Sequence, residues 1–362
     1  MRLDDMRVNR RLERQLPALR GALLALLAAA LFGLSTPLVQ QFGSGLGAFS
    51  TAALLYAGAA AVGLLSRRRI DREARLQRAD LPRLLAMAGF GAVLGPVALA
   101  WGLQHTSGTS ASLMLTLEAL FTAVLAWRLY RETMDGRVWA AMALLLAGGM
   151  LLVFDQGLRS GPGGAQLWGL LAVLLATAAW GVDNTLSRAL AERDPGQVVL
   201  AKALLGVTAT ATLALAFGEP LPTAGAALAL FGIGATGYGL SLRLYLLAQR
   251  AFGAARTGSV FAFAPFVGAA LAWALGDRSA SAAMALGSLL MLAGVVLHLA
   301  ESHGHEHRHE ALEHEHAHGH EEGHHDHLHD PRVTGEHSHA HRHEPLRHGH
   351  AHVPDAHHGH RH

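Results

Sequence analysis

The chain has 362 residues, is 51% hydrophobic and only 15% charged, and carries 41 Gly. So much small-residue content is poor material for a water-soluble core but suits helices packing closely in lipid. The absence of cysteine excludes disulfides, thiolate metal ligands and thiol catalysis, and the net charge of +2 divides into 24 Lys+Arg against 15 Asp+Glu in residues 1–300 and 5 against 12 in residues 301–362. The arginines of the first part flank apolar spans, so no nucleic-acid surface is read from them.

A membrane span needs about 20 mainly apolar residues. Ten such runs occur, near 19–39, 47–65, 83–103, 109–127, 138–154, 167–187, 198–217, 227–248, 257–275 and 282–299. The first, with basic residues before it, has the outline of a cleaved signal peptide. It is read as a retained span because an internal copy matches it: Gly21 to Thr36 returns as Gly169 to Asn184, 148 residues later. Ala123-Val124-Leu125-Ala126-Trp127 likewise returns as Ala269-Ala270-Leu271-Ala272-Trp273 at an offset of 146.

With the N-terminus inside, the cytoplasmic segments hold 19 Lys+Arg and the external loops two, Arg159 and Arg278. This asymmetry puts both termini in the cytoplasm. Five spans per copy make the duplication an inverted repeat, the architecture of many alternating-access transporters. The expected fold is an all-α membrane protein with ten transmembrane helices. Its parts are a basic cytoplasmic N-terminus (1–18), a first five-helix repeat (19–154), an external linker (155–166), a second repeat (167–299) and a disordered histidine-rich cytoplasmic tail (300–362).

The paired five-helix halves, each opening with an aromatic-glycine pair (Phe32-Gly33, Trp180-Gly181), resemble the EamA-type permeases of the drug/metabolite transporter superfamily over residues 19–299. The resemblance implies an inner-membrane secondary transporter that moves metabolites or drug-like solutes, usually outward and without ATP. A glutamate-proline pair common in the fourth helix of that family is split here between Glu118-Ala119 and Ala264-Pro265. Its glycine-glutamate counterpart reads Arg131-Glu132 and Gly276-Asp277.

Glu118 falls near the bilayer midplane, where an uncompensated charge costs roughly 2.5–3.5 kcal/mol on insertion scales. It is read either as a proton-coupling or cation-binding carboxylate or as a protonated acid bonded to a neighbouring helix. Asp183 and Asn184, after Trp180, and their repeat counterparts Ser35 and Thr36, before Pro37, are substrate-site candidates because bent helices at a repeat interface expose polar groups. Lys202 and Arg243 lie at the depth of Asp183, so an ion pair locking adjacent helices is the other reading of that aspartate. Trp101, Trp180, Tyr238 and Tyr245 are read either as pathway lining or as packing, and Pro96 and Pro265 as kinks or gating hinges.

The tail holds 23 of the 25 histidines. Its candidate ligands for zinc, nickel or copper are His303, His305, His307, His309, His314, His316, His318, His320, His324, His325, His327 and His329; a pH-sensing tail is the rival reading. No cofactor is required, no intramembrane enzyme site is arranged, and the partners are lipid, a small solute and metal ions at the tail. Divalent-metal export with the tail collecting metal, and a metal or pH sensor without transport, are the alternatives to an organic-solute permease.

Overall fold

Apolar runs of this length satisfy their backbone in lipid only as helices, and helices form nearly all of the chain before residue 300. The computed structural model describes residues 2–66, 74–130, 134–160, 164–190, 193–252, 254–299, 303–308, 312–318, 337–343 and 347–352. Among the described residues, eight helices are long and apolar enough to cross a membrane: α1 (Arg2–Phe42, apolar from Leu19), α2 (Ala48–Leu65), α3 (Arg78–Leu103), α4 (Gly108–Leu129), α5 (Gly136–Ser160), α6 (Ala165–Ser187), α7 (Pro195–Ala216) and α8 (Ala224–Gln249). Three shorter helices follow, α9 (Ala254–Phe261), α10 (Ala264–Ala274) and α11 (Ala282–Leu299). All ten expected spans meet a helix, with the ninth divided between α9 and α10. α5 continues to Ser160, and near its end Asp155 and Arg159 pair one turn apart at 3.2 Å.

Helix contacts repeat with the sequence. α1 packs on α8 and α10, and its copy α6 packs on α3 and α4; α2 packs on its copy α7, and α5 on α11. These contacts are close enough to need glycine. A Cβ on Gly33 of α1 would stand 2.2 Å from the Ala264 carbonyl oxygen of α10, and one on its copy Gly181 of α6 would stand 2.6 Å from Phe121 Cβ of α4. The buried core follows the same seams with Leu55, Leu99, Met114, Leu152, Leu170, Leu230 and Met291. Leu65, Leu158, Leu215 and Leu228 are exposed on the outside, an apolar rim suited to hydrocarbon.

Two distortions are also duplicated. α3 contains a π-helical stretch at Ala88–Leu94 and α8 one at Gly234–Leu240, again 146 residues apart. The amide of Gly95 reaches back five residues to the Phe90 carbonyl, and that of Ser241 to Thr236. Pro96 adjoins the first stretch only, so the wide turn belongs to the repeat position and not to the proline. The fourth helix of each half is interrupted too, by a 3₁₀ turn at Leu115–Leu117 in α4 and by the break between α9 and α10, after which Pro265 starts the new helix. Pro37 is buried within an unbroken α1.

Acidic groups tie both ends of the bundle. Glu219 accepts from the amides of Phe49 and Ser50 at the start of α2. Asp277 accepts from the amide of Thr109 at the start of α4, at 2.8 Å, and from that of Ser279 at 2.9 Å. At the opposite end Asp80 pairs with Arg193 at 2.9 Å, and the amide of Asp194 donates to the Ala74 carbonyl. Partial burial pushes the Asp277 carboxyl up, but the hydrogen bonds from Ser279 and Thr109 outweigh it and hold the group below its ordinary range. A depressed folded value means stability present above the unfolded value and lost as pH falls through the folded one. Asp277→Asn is therefore expected to lower the melting temperature at neutral pH, with the gap to the native chain closing below about pH 4; thermal unfolding in detergent across pH checks this.

In the tail, the described backbone forms two antiparallel strand pairs, β1 (His303–Arg308) with β4 (Arg347–His352) and β2 (Leu312–His318) with β3 (His337–His343). Alternation of histidine with other residues has the two-residue period of a strand. His303, His305 and His307 lie in β1, and His314, His316 and His318 in β2. His309, His320, His324, His325, His327 and His329 lie outside the described residues.

Candidate functional site

The interrupted α4, the wide turn of α8 and the close-packed α6 converge on one cavity of about 60 Å³, room for a few waters, lined by Phe32, Tyr56, Glu118, Trp180, Asp183, Asn184, Lys202, Gly237, Tyr238, Ser241, Leu242, Tyr245 and Phe261. Both halves contribute, so the site sits at the seam between the repeats.

Glu118 is the first residue of the helix that resumes after the 3₁₀ turn. It is half-buried and accepts a hydrogen bond from Asn184 Nδ2 of α6. One residue before Asn184, Asp183 forms an ion pair with Lys202 Nζ of α7, with both side chains buried. Gly91 makes room for this pair, since a Cβ there would lie 2.2 Å from Asp183 Oδ2. Asp183 Oδ1 has no hydrogen-bond partner among the described residues.

The wide turn of α3 supplies the remaining polar contact. The Gly95 amide bonds Phe90, and Pro96, next in that register, has no amide hydrogen, so the Gly91 carbonyl has no helical donor. It accepts instead from Trp180 Nε1 at 3.0 Å and from the Tyr56 hydroxyl. Two aromatic side chains from different helices are thereby fixed on one backbone oxygen. The rings continue around the cavity: Phe32 lies edge-on to Trp180 at 5.5 Å and to Tyr238 at 5.9 Å, and beside Phe261 at 5.3 Å, while Tyr245 meets Phe261 at 5.0 Å and Tyr56 meets Tyr238 at 5.7 Å.

Of the residues singled out in the sequence, Glu118, Asp183, Asn184, Trp180 and Lys202 come together here, as do Tyr238 and Tyr245. Ser35 and Thr36 are buried but do not line the cavity; Ser35 Oγ donates to the Phe32 carbonyl of its own helix at 2.6 Å. A small hydroxyl at the position equivalent to Asp183 turns inward to its own backbone. Arg243 is half-buried on α8 and does not line the cavity either. Trp101 is 41% exposed, is stacked on His105 near the end of α3 and does not line the cavity. Tyr56 and Phe261 were not singled out, and Phe32 only as half of an aromatic-glycine pair. Among the described residues no three histidine or acidic side chains are grouped to hold a metal ion.

The EamA-like transporter family matches the chain twice, over residues 19–154 and 167–300, each match covering one of the repeats. An uncharacterized transporter of Methanothermobacter thermautotrophicus is 28% identical over 233 residues, 64% of this chain and 68% of its own length. A solved crystal structure, 21% identical, covers 79% of this chain and 97% of its own with a TM-score of 0.57, a likeness of fold. With both repeats matched, a multi-pass arrangement of apolar helices and polar groups gathered at the seam, the chain belongs to the EamA-like transporter family and is a membrane transporter of the drug/metabolite type.

Proposed function

We propose that the protein is a secondary exporter of a small metabolite or drug-like solute, working by alternating access around the Glu118 cavity and coupled to protons through that carboxylate. In this reading it crosses the inner membrane ten times, with both termini in the cytoplasm, as the arginine asymmetry requires. The observation that carries it is the Glu118–Asn184 hydrogen bond, which spans the two repeats beside a buried ion pair. A carboxylate shared between halves that rock against each other is a group whose partner changes with the motion. The α4 interruption and the two wide turns lie where such helices would flex.

The test is flux in proteoliposomes with an imposed pH gradient, using a panel of radiolabelled amino acids, amines and amphipathic drugs. Wild-type protein is expected to accumulate at least one solute when the gradient is present, and Glu118→Gln to lose this gradient dependence while eluting as a monodisperse peak. Gradient-independent flux, or equal behaviour of the variant, overturns the coupling.

The tail is proposed as a separate cytoplasmic module that binds zinc, nickel or copper and buffers, senses or gates. The cavity offers two carboxylates, an amide and an ammonium, with no histidine, a poor set for a transition-metal cargo. Deleting residues 301–362 is expected to abolish zinc binding by the purified protein and to leave solute flux within about two-fold. Altered zinc, nickel or cobalt tolerance of cells carrying the truncated protein favours metal export instead, and unchanged flux with Glu118→Gln in every assay favours a sensor.

A further inference from the structure

Resting on the reading of the tail as a metal-binding module, we propose that its tightest site is built across paired strands: one zinc ion held by four histidines from two neighbouring rungs of the β2–β3 ladder, with the His316–His339 rung common to both possible sets. His337, His339 and His341 of β3 were not among the ligands drawn from the sequence.

The register carries the inference. His314 stands opposite His341, His316 opposite His339 and His318 opposite His337. Opposite residues of an antiparallel pair share a face, and so do residues two apart along one strand. All six histidines therefore occupy one face, in three consecutive rungs. Opposite Cβ atoms stand about 4.5–5.5 Å apart, and rungs on one face follow at about 7 Å, two residues of about 3.4 Å each. The centre of a rectangle of four is then about 4 Å from each corner, within reach of an imidazole and a Zn–N bond of about 2 Å. Zinc suits the set because it takes four nitrogen ligands tetrahedrally. The ladder is a template and not a finished cage. Among the described residues no three histidine or acidic groups are gathered at a point, so the imidazoles turn onto the ion as it binds.

The other face decides between the two ladders. β2–β3 sets Glu313 opposite Arg342, an attractive pair, whereas β1–β4 sets Arg308 opposite Arg347. Like charges directly opposite destabilise a strand pair. Two strands alone have little stability in water, and an ion bridging them supplies folding free energy. Zinc thus fixes the register of β2 against β3.

The native chain has no cysteine, so two nitroxide labels mark chosen rungs of the full-length protein in detergent. Ala317→Cys with Ser338→Cys labels one rung on the face without histidines, and Glu313→Cys with Ser338→Cys labels the same face two rungs out of register. Zinc chloride is titrated and dipolar broadening is recorded. Broadening is expected to grow with zinc in the first pair and to stay small in the second. Added to the first pair, His316→Gln with His339→Gln breaks the shared rung and leaves the outer rungs about 14 Å apart. It is expected to raise the zinc concentration for half-maximal broadening at least ten-fold. His318→Gln with His337→Gln removes as many histidines but leaves one set of four, and is expected to shift it less than three-fold. Equal shifts in the two variants, equal broadening in the two label pairs, or broadening that zinc does not change overturns the inference. Zinc bound in native mass spectra without broadening sinks this site while metal binding by the tail stands, and no bound zinc removes both. Proteoliposome flux bears on neither, so the transport reading is tested apart.

Discussion

Lys202→Met is expected to strip the membrane of most folded protein. The substitution leaves Asp183 buried, with Oδ2 deprived of its ammonium and Oδ1 already without a hydrogen-bond donor among the described residues. Breaking a buried pair from one side costs about 3–5 kcal/mol, a large part of a total stability that is on the order of 5–15 kcal/mol. Replacing both partners, as Asp183→Asn with Lys202→Met, removes the stranded charge and is expected to restore yield and detergent lifetime to near the native level, because an ion pair buried from water gives back little more than its desolvation costs. The double variant then answers a question the sequence left open. Flux that survives in it makes the pair a lock between α6 and α7. Flux lost from a protein that elutes as a monodisperse peak places the pair on the solute or proton path. Size-exclusion yield separates the two single variants from the double one, and proteoliposome flux does the rest.

The pair was legible in advance because charges in apolar spans are rare and expensive, so Asp183 and Lys202 at one depth had few other partners to find. The duplication was legible for a simpler reason: whole words of sequence recur, and Gly33 and Gly181 mark the same close crossing in each copy. The equivalent positions Ser35 and Asp183 carry side chains with different needs. A hydroxyl satisfies itself on the Phe32 carbonyl, while a carboxylate needs the neighbouring helix. The wide turns left no mark in periodicity, because the helices beside them are apolar on nearly every side and hold no pattern for a wider turn to shift. Yet they set the site, by freeing the Gly91 carbonyl that holds Tyr56 and Trp180. Laying the two copies over each other would have drawn attention to them, since Gly91 and Gly237 fall at the shared offset and each faces the Ser35 or Asp183 position of α1 or α6. Tyr56 and Phe261 were missed because an aromatic in an apolar span looks the same whether it faces lipid, core or cavity.

Gly33→Val is the second large effect, and it tests the seam itself. The added Cβ would lie 2.2 Å from the Ala264 carbonyl oxygen and 3.0 Å from Val267 Cβ, so the obstacle is backbone and cannot swing aside. α1 and α10 must separate, and with them goes the approach of Gly268 to the Gly33 carbonyl, which Pro37 leaves without its helical donor. Overpacking commonly costs about 1–3 kcal/mol and more when backbone has to move, so the expected result is loss of the monodisperse peak and a melting temperature lowered by many degrees. Gly181→Val should follow the same course, since its added carbon would meet Phe121 Cβ at 2.6 Å and shift the first turn of the half-helix that Glu118 opens. Its milder form, Gly181→Ala, is the more informative variant. It is expected to keep more folded protein than Gly33→Ala, yet to lose flux out of proportion to stability, because displacing α4 from α6 lengthens the Glu118–Asn184 hydrogen bond. Gly232→Ala, with nothing within 4 Å of the new carbon, serves as the control and should be neutral in both measurements. If Gly33→Val folds as well as Gly232→Ala, the two repeats do not meet along these glycines, and the cavity between them loses its walls.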